Sequence, residues 1–301
     1  MSLSVIKAGF QDIVQDLGRV GYTHLGISPT GAADSMSIRM GNLLLGNDLN
    51  NAGLEITLFG GTYRFNKNTN AALCGSLFPS TIDGIKIPFF KTFEITKGQI
   101  LYIGPTSDGA RCYLTVENGF EVPTVLDSKS THLMAKTGGF SGRALIKNDD
   151  LNFSDSLLPG IPKKVNIKLD DNRSVLRVTK GLQYNLFKSS SIDMFFSKLF
   201  TVYHSSNRMG LRINGPKIIQ KVSDDIITEG LPLGAIQVPI SGDPIISFVD
   251  HQTTGGYPKI ANVIAADLHK VGQLKPGDKF MFKLVSLDEA EKLYFEQESL
   301  F

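Results

Sequence analysis

Short apolar runs separated by glycine, proline, asparagine and aspartate recur along the whole chain. Rich in β-branched and aromatic residues, they predict strands near 4–6, 53–58, 62–65, 71–74, 99–103, 110–116, 174–178, 235–239, 244–249 and 279–285. Helical spacing is rarer. After Asp34, a residue suited to cap a helix, Met36, Met40, Leu43 and Leu44 trace one face until Gly46-Asn47 stops it. Met194, Phe195, Leu199 and Phe200 suggest a second helix, and 267–271 a short third. Ser286 and Glu289 form a capping box that opens a last helix through Ala290, Leu293 and Tyr294. Turn signals at 97–99, 147–149 and 276–278 each accompany a short apolar strand. Many short strands with regular turns predict a mainly β protein built from barrels or sandwiches. A linker at 157–168, marked by Pro159-Gly160-Ile161-Pro162, divides an amino-terminal β domain, 1–158, from a carboxy-terminal one, 159–301.

Composition narrows the class. The 301 residues are 42% apolar and 20% charged, ordinary for a globular protein. Lys plus Arg number 31 and Asp plus Glu 29, a net charge of +2, which gives no reason to expect nucleic acid or an anionic membrane as partner. Cys74 and Cys112 lie far apart without ligand spacing, so buried thiols are expected. The first residues lack a signal peptide's apolar core, and no apolar run approaches membrane-spanning length; a cytoplasmic location is expected.

The chemistry concentrates at 250–259, Asp-His-Gln-Thr-Thr-Gly-Gly-Tyr-Pro-Lys. It follows an apolar strand, and Gly255-Gly256 lets the backbone approach a ligand closely. Asp250 and Lys259 form the candidate acid–base or charge-stabilising pair, and Tyr257 offers an electrophilic hydroxyl. Asp250 and His251 are neighbours on an extended strand, so their side chains point to opposite faces and do not suggest a dyad. A second block, 204–216, sets Asn207, Arg208 and Arg212 together; two arginines four apart suit a carboxylate or phosphate. A third, 16–34, carries Arg19, His24, Ser28 and Asp34 among glycines before a helix amino terminus, and reads either as an anion-receiving loop or as a surface connection. Gly138-Gly139-Phe140-Ser141-Gly142-Arg143 lacks the Gly-Lys-Ser/Thr of a nucleotide phosphate loop and reads as a turn. The five histidines show no metal-ligand spacing, and no Gly-x-Ser-x-Gly elbow occurs.

Taken together in order, these blocks resemble one family. They run from Gly18-Arg19-x-Gly21-Tyr22 and Gly26-x-Ser28-Pro29-x-Gly31-Ala32-x-Asp34 through Leu54-Glu55-x-Thr57-Leu58. Ser128-x-Ser130-Thr131, the 138–145 glycine-rich block and Ser206-Asn207-Arg208-Met209-Gly210 follow, then Gln237-Val238-Pro239, the cluster 250–261 and Gln273-Leu274-x-Pro276-Gly277-Asp278. The chain resembles, over roughly 4–285, the biotin-dependent carboxyltransferase family, also labelled allophanate hydrolase subunit 2-like. That family includes the C component of 5-oxoprolinase, an antagonist of a histidine-kinase inhibitor, and part of the urea carboxylase carboxyltransferase region.

The resemblance implies two cyclophilin-like β-barrel domains and an enzyme subunit active only in a complex. The implied activity is ATP-dependent opening of 5-oxoproline to glutamate, with a protein like the B component of 5-oxoprolinase and a lactam-utilisation protein as partners and ATP as co-substrate. By residue chemistry Gln252, Thr253 and Thr254, with Gly255, Gly256, Gln237 and Asn207 beside them, would orient an amide. Lys259 and Arg208 would stabilise phosphate or oxyanion, and Asp250 would be the base. The alternatives are carboxyl transfer from carboxybiotin to a urea-like amide, and a non-enzymatic role in sequestering a kinase inhibitor. No Ala-Met-Lys-Met biotinylation site occurs. The chain departs from the family pattern at Gly61, Asn118, Asp127 and Asn148; Asn and Asp tolerate left-handed backbone, so the last three read as turn substitutions.

Overall fold

A computed structural model of the chain describes residues 2–154, 172–221 and 226–301. It is mainly β, with four α-helices among the described residues. Two units divide it: Met1–Val20 with Thr30–Lys168, and Gly21–Pro29 with Leu169–Phe301. The predicted linker 157–168 and the boundary at 158/159 lie outside the described residues. Residues 21–29 belong to the second unit although they sit early in the sequence, a placement that a single cut along the chain does not give.

In the first unit two sheets enclose one core. A seven-stranded sheet runs in the order Phe120–Glu121, Asp150–Phe153, Leu3–Lys7, Thr62–Phe65, Ile100–Ile103, Ser80–Ile82, Ile85–Lys86. The five-stranded sheet runs Gln11–Gln15, Gly53–Thr57, Arg111–Val116, Thr69–Gly75, Thr92–Ile95. Leu3, Val5, Phe65, Leu101 and Phe153 from one sheet meet Val14, Leu54, Leu73, Cys112 and Leu114 from the other. Both cysteines are free and buried, and burial pushes both thiols up in pKa. The strand Arg111–Val116 is buried at every position, whereas a one-sided strand would alternate. Its second face is covered by helix α1 (Ser35–Leu45), whose Ile38 packs with Tyr113.

The cap of α1 is the one its sequence announces. Asp34 accepts hydrogen bonds from the Ser37 backbone N–H (3.0 Å) and hydroxyl (2.6 Å), and Gly46 ends the helix with φ of 71°. Asn118, Asp127 and Asn148 all adopt positive φ, at 64°, 57° and 71°, the left-handed turns that their short polar side chains tolerate.

The second unit is a closed barrel of seven strands. Its order is Val175–Lys180, Lys259–Val263, Ala235–Gln237, Ile245–Ser247, Gly210–Asn214, Phe200–Val202, Lys279–Leu284. The pairing of Val175–Lys180 with Lys279–Leu284 is parallel and closes the ring. Here strands do alternate: Leu211 and Ile213 face inward while Arg212 and Asn214 face out. An aromatic cluster fills part of the core, with Phe195 stacked on Phe282 at 4.4 Å and Phe280 edge-on to the same ring. Phe195 comes from helix α2, Ser189–Ser197. The helix expected through Phe200 therefore ends earlier, because Phe200 pairs with Phe280 as a barrel strand. Helices α3 (Leu268–Gln273) and α4 (Leu287–Glu298) complete the unit; Ser286 caps α4 by accepting from Glu289 N–H at 3.1 Å.

Candidate functional site

The ladder between Gly210–Asn214 and Ile245–Ser247 continues past the strand ends, through Phe248 N–H to Met209 O and Asp250 N–H to Arg208 O. That register delivers Arg208 and Asp250 to each other. The guanidinium donates twice, Nε to Oδ2 at 2.9 Å and Nη2 to Oδ1 at 3.1 Å, and both side chains are almost fully buried. A buried charge pair tolerates its loss of water only with such bidentate geometry. Asp250 does not pair with Lys259, the partnership expected from the sequence. Arg208 is engaged by a carboxylate of its own chain.

Lys259 instead binds Glu229. Residues Glu229–Gly230 form a short strand against Thr254–Gly255, with Glu229 opposite Gly255. Lys259 opens the barrel strand that pairs with Gln237. Its ammonium is buried, 2% exposed, while the Glu229 side chain is 35% exposed. Gln183 completes the cluster: its Nε2 donates to Glu229 at 2.6 Å, and its Oε1 accepts the Lys259 backbone N–H at 3.1 Å. The Lys259 bond, then the Gln183 bond, hold the Glu229 carboxyl below the usual range. An ammonium carries three donors, and Glu229 takes one of those on Lys259. The arrangement is a buried cation with hydrogen-bonding capacity to spare beneath a half-exposed carboxylate, able to steady negative charge that develops beside it.

The rest of the 250–259 segment divides by exposure. Gln252, Thr254 and Tyr257 are exposed, and Thr253, Gly255 and Gly256 half-buried. The side chains of Gln252, Thr253 and Thr254 take no hydrogen bond among the described residues. Gly255 lies against the Gln237 carboxamide, where a Cβ would stand 2.4 Å from Nε2; this close approach is what its glycine provides. The Gln237 amide also reaches Tyr257 O at 3.5 Å. His251 is buried with Nδ1 2.7 Å from Gln252 O, and burial pulls its pKa down. Asp250 is turned to Arg208, so no Asp250–His251 dyad forms.

The other candidates separate. Ser28, in the second unit, donates to Val249 O at 3.2 Å, beside Asp250. His24 is exposed on a single turn, Thr23–Leu25. Arg19 belongs to the first unit, where Nη2 donates to Ser130 O at 2.6 Å and braces the Ser128–Thr131 segment. Asp34 caps α1, and Glu55 Oε2 accepts Ala33 N–H at 2.8 Å. The helix terminus read as an anion receiver thus holds two carboxylates of its own chain. Asn207 accepts Met209 N–H at 2.9 Å and Gly210 N–H at 3.3 Å, so its carbonyl shapes the turn before the strand. The glycine-rich 138–142 segment is a turn, and a Cβ at Gly139 would overlap the Thr131 hydroxyl at 1.8 Å.

Glu229 and Gln183 are the residues that sequence reasoning missed. Neither lies in a motif; Thr228-Glu229-Gly230 looks like any polar loop. The available signal was indirect: a lysine at the start of a barrel strand, followed by Ile-Ala, must find a carboxylate if its head is buried. Among the described residues no group of three or more His, Cys, Asp or Glu side chains is placed to hold a metal, and no helix is long and apolar enough to cross a membrane.

With barrel and cluster in view, the relationship to known proteins is direct. The chain belongs to the carboxyltransferase domain family, subdomains A and B, whose pattern matches residues 25–284. A Haemophilus influenzae relative, named as the C component of 5-oxoprolinase, is 37% identical over 291 residues, covering 97% of this chain and 94% of the relative. The Escherichia coli protein of the same name is 37% identical over 301 residues, covering 99% and 96%. The solved structure of Kluyveromyces lactis urea carboxylase superposes with a TM-score of 0.93 at 33% identity, covering 99% of this chain but 28% of that polypeptide.

Proposed function

We propose that this chain is the C component of an ATP-dependent 5-oxoprolinase that opens 5-oxoproline to glutamate together with a B-like component and a lactam-utilisation protein. The observation that carries this is end-to-end correspondence: the two bacterial 5-oxoprolinase C components are covered to 94% and 96% of their length. A lactam carbonyl is a poor electrophile, so ATP is assigned the activation of its oxygen before water adds and the ring C–N bond opens. The protein's share is orientation and charge stabilisation. Exposed Gln252 and Thr254, with Thr253, are assigned to the amide, Lys259 to the developing negative charge, and Tyr257 to a hydroxyl contact. Asp250, proposed as the base on sequence grounds, is turned to Arg208, so its assigned work becomes holding the strand end on which Gln252 and Thr253 sit.

Carboxyl transfer from carboxybiotin to a urea-like amide is the second reading, favoured by the superposition on urea carboxylase. The same donors suit a ureido carbonyl. Reconstitution separates the two. The chain is combined with its B-like and lactam-utilisation partners and assayed for 5-oxoproline-dependent ADP release, and in parallel for carboxyl transfer from carboxybiotin to urea. Urea carboxylation without 5-oxoproline-dependent ADP release would overturn the first reading.

A further inference from the structure

Of the two arginines singled out at 204–216, Arg208 is spent on Asp250, whereas Arg212 is not. It lies on the outer face of the barrel in Gly210–Asn214, exposed, and its guanidinium makes no hydrogen bond or ion pair among the described residues. Around it is a pocket of about 470 Å³, lined also by Tyr203, Ser205, Asn214 and Ser241, with the Lys217–Asp243 pair at its edge. That volume suits a small molecule. Asp243 accepts Lys217 at 2.5 Å, which leaves the pocket one net positive charge, on Arg212.

The backbone beneath Arg212 is fixed. Ser206 Oγ accepts its N–H at 3.1 Å and donates to its carbonyl at 3.1 Å, and the same carbonyl accepts Tyr203 N–H at 2.9 Å. An unspent guanidinium on a clamped strand, among hydroxyl and carboxamide groups and beside a half-exposed tyrosine ring, has the donors and planar fork that match an oxyanion. We propose that this pocket binds the carboxylate or phosphate group of a small molecule through Arg212, at a site formed by residues other than the Lys259–Glu229 cluster. The proposal does not depend on the 5-oxoprolinase reading, since it concerns binding by this chain alone.

Calorimetric titration of the full chain tests it, with inorganic phosphate, ATP, 5-oxoproline and glutamate as separate probes. Saturable binding of at least one probe is expected, weakened about tenfold to hundredfold in Arg212→Gln, the worth of a charge-assisted pair. Arg212→Lys, which keeps charge but loses the fork, should fall between. The thermal midpoint of Arg212→Gln should match the parent, since the side chain braces nothing. Response to phosphate and ATP alone supports a phosphate ligand; response to 5-oxoproline or glutamate alone supports a carboxylate. Absence of binding by every probe, or affinity in Arg212→Gln equal to the parent, overturns the proposal. So does binding lost in Lys259→Met but kept in Arg212→Gln.

Discussion

Lys259 is neutralised by Glu229, thirty residues earlier in the chain, and not by Asp250 within its own motif. The two partners differ in their access to water, 2% against 35% exposed, and this asymmetry sets the cost of removing each. Glu229→Ala leaves a buried ammonium unpaired and should cost about 3–5 kcal/mol. Lys259→Met leaves a carboxylate that water can still reach, and should cost clearly less. Urea denaturation of both variants and the double variant measures this; equal losses from the two single changes would contradict it.

Asp250→Ala should behave as a stability variant first. It removes the carboxylate that the Arg208 guanidinium, 5% exposed, grips with two hydrogen bonds, and a loss of about 3–5 kcal/mol is expected. The double variant Arg208→Met, Asp250→Ala should recover part of that loss, because no buried charge is left uncompensated. Chemical denaturation gives the answer, and additive losses would argue against a tight pair.

Asp12 provides a pH-dependent contribution in the first unit. Burial raises its pKa to about 6, against the opposing bonds from Gly9 N–H and the Tyr63 hydroxyl. A carboxyl raised in the folded state binds protons more readily there than when unfolded. Stability is therefore favoured at low pH and lost as pH rises from about 4 to about 6. At neutral pH the penalty is about 3 kcal/mol at most, from about 1.4 kcal/mol per unit. Asp12→Asn should gain stability relative to the parent across that window, as read by unfolding at pH 4, 5, 6 and 7. A difference that is constant with pH would count against it.

His251 acts in the opposite direction. Burial lowers its pKa, so the unfolded chain takes up a proton before the folded chain does. Its contribution to stability falls as pH drops below about 6.5, the ordinary histidine value. Proton NMR of the ring should show a midpoint below that value; a midpoint at or above it would remove the effect.

Much of the fold was legible because local chemistry and tertiary structure agree. Asp34 and Gly46 bound α1, Ser286 caps α4, and the turn at Asn148 takes the left-handed conformation that its side chain permits. Phe200 misled because an apolar residue just after a helix continues its spacing, while its barrel pairing with Phe280 depends on residues eighty positions away. The site was legible as a segment but not as partnerships. Composition places Asp250 and Lys259 together, whereas register sends one to Arg208 and sheet pairing sends the other to Glu229. Arg19 and Asp34 carried charge in a glycine-rich block, yet each is used inside the first unit to satisfy backbone groups.

The initial rate of 5-oxoproline-dependent ADP release by the reconstituted complex, with this chain present and omitted, tests the proposed role as a 5-oxoprolinase component. Turnover is expected only when the chain and its partners are together. A loss of about 10²–10³ is expected when Lys259→Met replaces the parent chain, the usual consequence of removing a group that stabilises developing negative charge. Equal rates with and without the chain, or full turnover by the chain alone, would contradict it.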